Sequence, residues 1–378
     1  MAGIYIHVPF CKRRCIYCDF YTRTDMSQKQ AYVSAICKEI ELRRDYLKGE
    51  IIKTIYFGGG TPSQLTFNDF TAIFKAIRND FMIAEDAEIT MEANPDDLNA
   101  KYLEMYQNLP FNRLSIGIQS FNDKELTFLN RRHSSEQAIN AVELSKSAGF
   151  NNISIDLMYG LPNQTMDIWK QNLKEAISLD IQHISPYHLI YEEGTKLYRM
   201  FKLGEIKTVD EDISVDMFSS MIDTLSSTGF EHYEISNFAR DGLYSKHNSS
   251  YWLGEKYMGL GPAAHSYNGK DRAWNIASIS KYIDGITQSK PDIEKEEQGK
   301  YTRYNDFILT GMRTMWGVNL SNLEATFGTE LKSYALQNVQ KYIDQGFVTK
   351  DDNILKITRN GIFISDGIMS DMMWIESD

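Results

Sequence analysis

The stretch Tyr5–Thr22, YIHVPFCKRRCIYCDFYT, decides how the rest of the chain is read. An apolar, β-prone run, Gly3–Pro9, passes directly into three cysteines, Cys11, Cys15 and Cys18. The remaining cysteine, Cys37, stands alone on a stretch with helical periodicity and reads as a structural thiol. Three thiols inside eight residues are not a disulfide framework, which spreads its cysteines along the chain. They point to metal or redox chemistry on a loop that leaves the first strand.

Outward from this loop, β-prone runs alternate with amphipathic stretches. Strands are expected at Gly3–Pro9, Ile52–Phe57, Glu88–Ala93, Arg113–Gln119, Asn152–Met158 and His183–Leu189. Helices are expected near Gln28–Leu47, Asn68–Asn79, Ala100–Asn108, Ser134–Ala148 and Thr165–Ser178. Strands separated by single helices imply βαβ units and a parallel sheet. Six such units without a dinucleotide fingerprint fit an α/β incomplete (β/α)6 TIM-like barrel better than a Rossmann sheet. Gly58, Glu92, Gln119, Asp156 and Tyr187 fall at or just past predicted C-terminal strand ends, where such barrels carry their active sites.

Beyond about residue 200 the pattern changes. Asp210–Ser227 reads as helical, Phe230–Ala239 as extended, and Ser245–Asn275 as rich in Gly, Tyr, Trp and Asn with little periodicity. The charged run Asp292–Lys300 reads as a solvated linker or helix start. Helices near Asn305–Thr314, Ser321–Phe327 and Leu331–Gln345, a hairpin at Gly346–Asp351 and Ile354–Thr358, and a last helix from Asn360 suggest a smaller α+β winged-helix-like C-terminal domain. The expected division is a barrel over 1–230 with its metal loop at 11–18, a connecting segment over 231–295 packing on the barrel, and a C-terminal domain over 296–378.

The 378 residues are 42% hydrophobic, enough for a large core, and 51 acidic against 40 basic residues leave a net charge of −11. Nucleic acid needs a basic footprint, so it is not expected as a partner, and the winged element reads as architectural. No apolar run approaches the roughly 20 residues of a membrane span. The N-terminal basic residues follow the short apolar stretch, unlike a signal peptide. A cytoplasmic protein is expected, with peripheral membrane contact left open.

The cysteine spacing is C-x3-C-x2-C. Zinc sites favour paired C-x2-C elements and four ligands, so a zinc site here would borrow His7 or Cys37. Three thiolates can instead hold three irons of a 4Fe–4S cluster and leave the fourth iron open. With the glycine-rich Gly58-Gly59-Gly60-Thr61-Pro62 after the second strand, the chain resembles the radical S-adenosylmethionine superfamily. That resemblance implies an open iron that chelates S-adenosyl-L-methionine, and reductive cleavage of the cofactor to a 5′-deoxyadenosyl radical. The protein's share is to position the cofactor and exclude water. Glycines let the backbone approach a ligand closely, and Tyr17, between two ligands, can stack on the adenine or pack on the cluster.

The motifs YIHVPFCKRRCIYCDF, FGGGTP, MEANP, IGIQSFN, LNRRH, DLMYGLP and HNSSYW cover nearly the whole chain. They resemble the coproporphyrinogen dehydrogenase-like group, which holds the oxygen-independent coproporphyrinogen III oxidases and the HemW haem chaperones. The resemblance implies cluster ligands Cys11, Cys15 and Cys18, and S-adenosylmethionine contacts at Tyr5, Tyr17, Gly59, Gly60, Thr61, Glu92, Gln119, Arg131 and Asp156.

Three features favour the haem chaperone branch. Phe20 stands where the oxidases carry a further cysteine; the segment before Cys11 is shorter than theirs; and His247-Asn248-Ser249-Ser250-Tyr251-Trp252 matches the HNxxYW motif of the chaperones. The resemblance then implies haem b bound near His247, Tyr251 and Trp252, with His188, His232 and His265 left open as further ligands. It implies a haem-accepting protein and an electron donor as partners, leaves a homodimer open, and leaves open whether the radical chemistry is catalytic or gates transfer. The alternative is a coproporphyrinogen III oxidase of porphyrin biosynthesis.

Overall fold

The computed structural model describes residues 2–375. Six strands, β1 (Ala2–Val8), β2 (Ile52–Gly59), β3 (Ile83–Ala93), β4 (Arg113–Gln119), β5 (Ile153–Tyr159) and β6 (His183–His188), pair in chain order, each parallel to the next. Their near-continuous burial is what a parallel sheet covered on both faces requires. Helices Lys29–Leu42, Phe67–Asp80, Ser135–Ser147 and Met166–Ser178 supply the outer layer. Two of them start at reciprocal caps, Thr66 with Asp69 and Ser134 with Gln137, so sequence-local bonds fix where those helices begin. On the inner face, the charge of Asp156 on β5 reaches Glu92 on β3 and Tyr56 on β2, so the strands curve round one shared interior.

The stretch 231–295 differs from its expectation as a segment packed on the barrel, because it continues the barrel's own sheet. Phe230–Ala239 is not one extended run. It is a hairpin, β7 (Glu231–Glu234) and β8 (Asn237–Ala239), added antiparallel beside β6. The weakly periodic stretch after Ser245 holds a short helix, Lys246–Trp252, and three strands. Of these, β9 (Lys256–Leu260) pairs parallel with β1 at the other edge, and β10 (His265–Tyr267) and β11 (Asp271–Asn275) follow antiparallel. The charged run expected as a linker forms β12 (Ile293–Glu297), whose exposed Glu and Lys side chains suit an outermost edge strand. The result is a single twelve-stranded sheet.

One buried carboxylate fastens this added edge to the barrel. Glu39, fully buried on helix Lys29–Leu42, pairs with Arg43 at 2.9 Å. It also accepts from the Gly261 N–H (2.9 Å), Asn275 Nδ2 (2.8 Å) and the Tyr282 hydroxyl (2.6 Å). The C-terminal part has its own apolar core, with Tyr304, Ile308, Leu331, Leu355 and Met372 at its centre. Helices Lys300–Met312, Leu320–Phe327 and Thr329–Asp344 surround it with a three-stranded antiparallel sheet of β13 (Val318–Asn319), β14 (Val348–Asp351) and β15 (Ile354–Ile357). No helix among the described residues is long and apolar enough to cross a membrane.

Glu39→Ala leaves the buried Arg43 guanidinium without its carboxylate. Breaking a buried pair from one side costs about 3–5 kcal/mol, so the variant is expected to unfold at markedly lower denaturant. Loss of hydrogen-exchange protection should concentrate in β9–β11, and protection unchanged there would disprove the fastening role.

Candidate functional site

The cysteine loop is closed at its base, where the Cys11 N–H donates to the Arg23 carbonyl (2.9 Å) and the Arg23 N–H to that of Pro9 (2.6 Å). The thiols lie close together: Cys15 raises Cys11, and Cys15 and Cys11 both raise Cys18. Burial is the larger cause, and it pushes Cys18 up to about 11. Two donors face the sulfurs: Thr61 Oγ1 at 3.4 Å from Cys11 Sγ, and an Arg131 terminal nitrogen at 3.3 Å from Cys15 Sγ. A thiol becomes a ligand when a metal ion displaces its proton, which is released to solvent. Among the described residues no three His, Cys, Asp or Glu side chains converge on a one-ion site. His7 is also engaged, Nδ1 with the Tyr5 hydroxyl (3.1 Å) and Nε2 with the Tyr21 carbonyl (2.9 Å), and Cys37 packs against the barrel core. The zinc alternative therefore lacks its fourth donor, whereas a cluster, whose cysteines attach to separate irons, fits the set.

Arg131 links this loop to the strand ends. Its other terminal nitrogen donates to Asn94 Oδ1 (2.6 Å) and to the Gly117 carbonyl, while its buried Nε–H has no partner among the described residues. Glu92, near the end of β3, accepts from the Tyr56 hydroxyl (2.8 Å) and the Gly59 N–H (3.1 Å). Desolvation pushes its carboxyl up to about 7. Asp156 is likewise raised by burial, to about 6, with Arg113 opposing the shift; it sits in the middle of β5, not at its end as expected. Gln119 closes β4 with φ +72, a left-handed conformation that costs a non-glycine residue energy, and its amide makes no hydrogen bond with the described residues. Tyr17 packs on the apolar cluster of Ile16, Leu129 and Leu161, within reach of the charges on Cys15 and Arg131.

The glycine run works differently from its expectation as room for a ligand. A Cβ at Gly59, where φ is 101, would stand 2.5 Å from the His7 ring, and one at Gly60 would stand 2.7 Å from the Val8 carbonyl oxygen. The close approach is to β1 itself. The Gly59 and Gly60 N–H groups are already bonded, to Glu92 and to the Val8 carbonyl (2.8 Å), so these two residues can offer a cofactor only their carbonyls.

His247, expected near the haem, lies inside the barrel. It is 1% exposed, with Nδ1 bonded to Thr54 Oγ1 (2.8 Å) and Nε2 to the Tyr251 hydroxyl (2.8 Å), and its ring stacks on Tyr56 at 5.0 Å. With both ring nitrogens hydrogen-bonded, the one lone pair of the neutral ring is already engaged by a hydroxyl, and desolvation keeps the ring neutral, with its value lowered to about 3. Its two motif neighbours face outward, into a cleft of about 1100 Å3 between the barrel edge and the C-terminal domain. Tyr251, Trp252, Tyr257, Tyr267 and Trp316 line that cleft, together with Arg272, Arg303 and His265. His188 and His232 lie elsewhere, bonded to Ser214 Oγ (3.2 Å) and the Ile235 carbonyl (3.0 Å).

The Radical SAM superfamily profile matches residues 5–176, and that of the HemN C-terminal domain matches 300–364. The heme chaperone HemW of Bacillus subtilis (strain 168) is 32% identical over 364 residues, 96% of each chain. That of Lactococcus lactis subsp. lactis (strain IL1403) is 32% identical over 365 residues, 96% of this chain and 95% of the other. The chain belongs to the HemW family of radical S-adenosylmethionine proteins. The solved structure of coproporphyrinogen III oxidase (HemN) from Escherichia coli shares the fold, with a TM-score of 0.85 over 98% of this chain and 90% of that one at 22% identity. Radical S-adenosylmethionine membership implies a 4Fe–4S cluster and S-adenosylmethionine.

Sequence reasoning missed two brackets in this HemW-family site. Asn94 joins Thr61 (3.2 Å) to Arg131, so one amide sets the donors of two cysteines. Buried Asp97 accepts from Lys12 Nζ (2.7 Å) in the cysteine loop, from Ser63 Oγ (2.8 Å) and from Gln64 Nε2 (2.6 Å), and pairs with Arg132. The signal was available: an acidic pair after MEANP set against Lys12-Arg13-Arg14.

Glu92 binds its proton more tightly folded than unfolded, so folding loses stability as pH rises from the ordinary value of 4.5 through about 7. Glu92→Gln should flatten that part of the fall in chemical denaturation at pH 5, 6 and 7.5, leaving the smaller slope due to Asp156. An undiminished slope would mean Glu92 is not the titrating group.

Proposed function

We propose that this chain is a haem chaperone. In this reading it holds a 4Fe–4S cluster and S-adenosylmethionine at the barrel mouth, carries haem in the adjoining aromatic cleft, and delivers it to a haem-requiring protein. The observation that carries the reading is adjacency. The cleft begins at Asp19 and Phe20, directly after the third cysteine, and shares Tyr5 and His7 with the strand that delivers the cysteine loop. The name heme chaperone, carried by relatives similar over nearly the whole chain, supports the haem half.

The chain's own residues divide the work. Cys11, Cys15 and Cys18 ligate iron as thiolates, with Arg131 balancing their charge and Thr61 bonding Cys11. When bound, the cluster and S-adenosylmethionine supply one-electron chemistry, for which a separate electron donor is needed. The unpartnered Nε–H of Arg131 suits a carboxylate, and the carbonyls of Gly59 and Gly60 suit an ammonium. Glu92, Gln119 and Asp156 offer acceptors and an amide to ribose hydroxyls. Tyr5 holds His7 in place (3.1 Å), and Tyr17 presents its ring to an adenine face. Tyr251 and Trp252 give the haem cleft two of its aromatic walls, and His247 fixes the first of them.

Glu92→Ala combined with Gln119→Ala is expected to weaken S-adenosylmethionine binding at least about tenfold by calorimetry of the anaerobically reconstituted protein, since a hydrogen bond to a charged group contributes about 1.5–3 kcal/mol. Unchanged affinity would overturn the assignment of the mouth. Wild-type protein loaded with haem is expected to pass it to an apo haem protein, followed by absorbance. With coproporphyrinogen III, S-adenosylmethionine and a reductant it is expected to yield no protoporphyrinogen. The opposite pair of results would favour an oxidase.

A further inference from the structure

The cleft contains groups that neither the barrel chemistry nor the HNxxYW motif uses. Seven histidines occur in the chain, and six of them have ring nitrogens in hydrogen bonds. His265 is the exception. It is exposed on β10, and neither of its ring nitrogens is hydrogen-bonded to a described residue. It is nevertheless oriented, stacked on Trp274 of the neighbouring strand at 5.7 Å and 25°. It also lies close enough to His7, on β1, to influence its ionisation. The opposite wall is the C-terminal helix Lys300–Met312. There Arg303 has a buried Nε–H without a partner, and none of its guanidinium donors is hydrogen-bonded to a described residue. Arg272, by contrast, is committed to Asp306 at 2.8 Å. A poised imidazole, an uncommitted guanidinium and flat aromatic walls in one space of about 1100 Å3 describe a receptor for a planar, iron-bearing, anionic macrocycle.

We propose that His265 is the axial ligand of haem iron in this cleft and that Arg303 binds a haem propionate; this rests on the haem-carrying reading above. The macrocycle lies between the aromatic walls, its iron toward the barrel edge and a propionate toward the C-terminal helix. The planar guanidinium takes the carboxylate through paired N–H donors. Partial burial and the neighbouring Arg272 lower the His265 value, which keeps the ring in the neutral form that donates a lone pair to iron. His247 acts one layer further in as a positioning residue, fixing Tyr251 through its hydroxyl.

The test uses the full chain with its cluster reconstituted anaerobically. Wild type, His265→Ala, His265→Gly, Arg303→Gln and His247→Ala are each titrated with haem and, in parallel, with metal-free protoporphyrin IX. His265→Ala should weaken haem at least about tenfold and change the Soret position and the ferric electron paramagnetic resonance signal. Its porphyrin affinity should stay within about twofold, which also shows that the variant is folded. Added imidazole should restore the haem spectrum of His265→Gly. Arg303→Gln should weaken haem and porphyrin alike, because it acts on the propionate. Haem spectra unchanged in His265→Ala but lost in His247→Ala would overturn this ligand assignment and leave the chaperone reading standing. A wild-type protein with no saturable haem complex would overturn both.

Discussion

A short length of parallel pairing holds the cysteine loop where it can be used. His7 lies opposite Gly58 and Val8 opposite Gly59, and the Gly60 N–H then donates to the Val8 carbonyl at 2.8 Å. No side chain fits between these strand ends, so the glycines are required by β1 before any ligand is considered. The chain leaves β1 in one fixed direction, and the loop closes through Pro9, Cys11 and Arg23. Because Glu92 takes the Gly59 N–H, the same pairing also fixes the carboxylate of the third strand. Loosening this contact would lose the cysteine geometry and the strand-end carboxylate together.

The segment beyond the sixth strand turns a partial barrel into a two-chamber molecule. Glu88, buried at the start of the core of β3, accepts the N–H groups of Lys246 and His247 and so anchors the helix Lys246–Trp252. That anchor drives His247 into the barrel against Thr54 and Tyr56 and leaves Tyr251 and Trp252 facing the cleft. Glu92, Tyr56, His247 and Tyr251 then form an unbroken series of contacts from the mouth to the cleft. Within the motif, the histidine holds Tyr251 from inside the barrel, while Tyr251 and Trp252 line the cleft.

The sequence was most legible where the signal is local. β4 appears with the expected bounds, and the helices after β2, β4 and β5 lie within a residue or so of theirs, because capping residues and periodicity are properties of adjacent positions. The cysteine loop was legible for the same reason. Strands β9–β12 were not: they run for three to five residues, and β12 is almost wholly charged, so neither alternation nor apolar content marks them. Asp156 stands mid-strand although the expected bounds of β5 were right to within a residue, because a polar side chain inside a strand can face the barrel interior as readily as one at its end. The difference between His247 and His265 is invisible to any local reading. One is bonded at both nitrogens by Thr54 and Tyr251, and the other stands exposed on Trp274, and only tertiary packing separates the two.

Overall acidity and local charge pull in opposite directions here, and this bears on how an anionic ligand is held. A net charge of −11 gives no long-range attraction for a dianion, and what field there is decays within about 8–10 Å at physiological salt. The cations that matter are internal: Arg113 buried inside the barrel at the start of β4, Arg131 beside the cysteine loop, and Arg272 and Arg303 along the cleft. Arg313, across from them, is held over Trp252 at 5.0 Å while paired to Glu234. Affinity in such a site comes from short-range, partly desolvated contacts instead of steering, so it falls away once the ligand moves past the rim. For the haem carrier proposed above, that is a useful balance: short-range contacts from one imidazole, one guanidinium and flat rings would hold the cargo, and a surface of net negative charge would not recapture it.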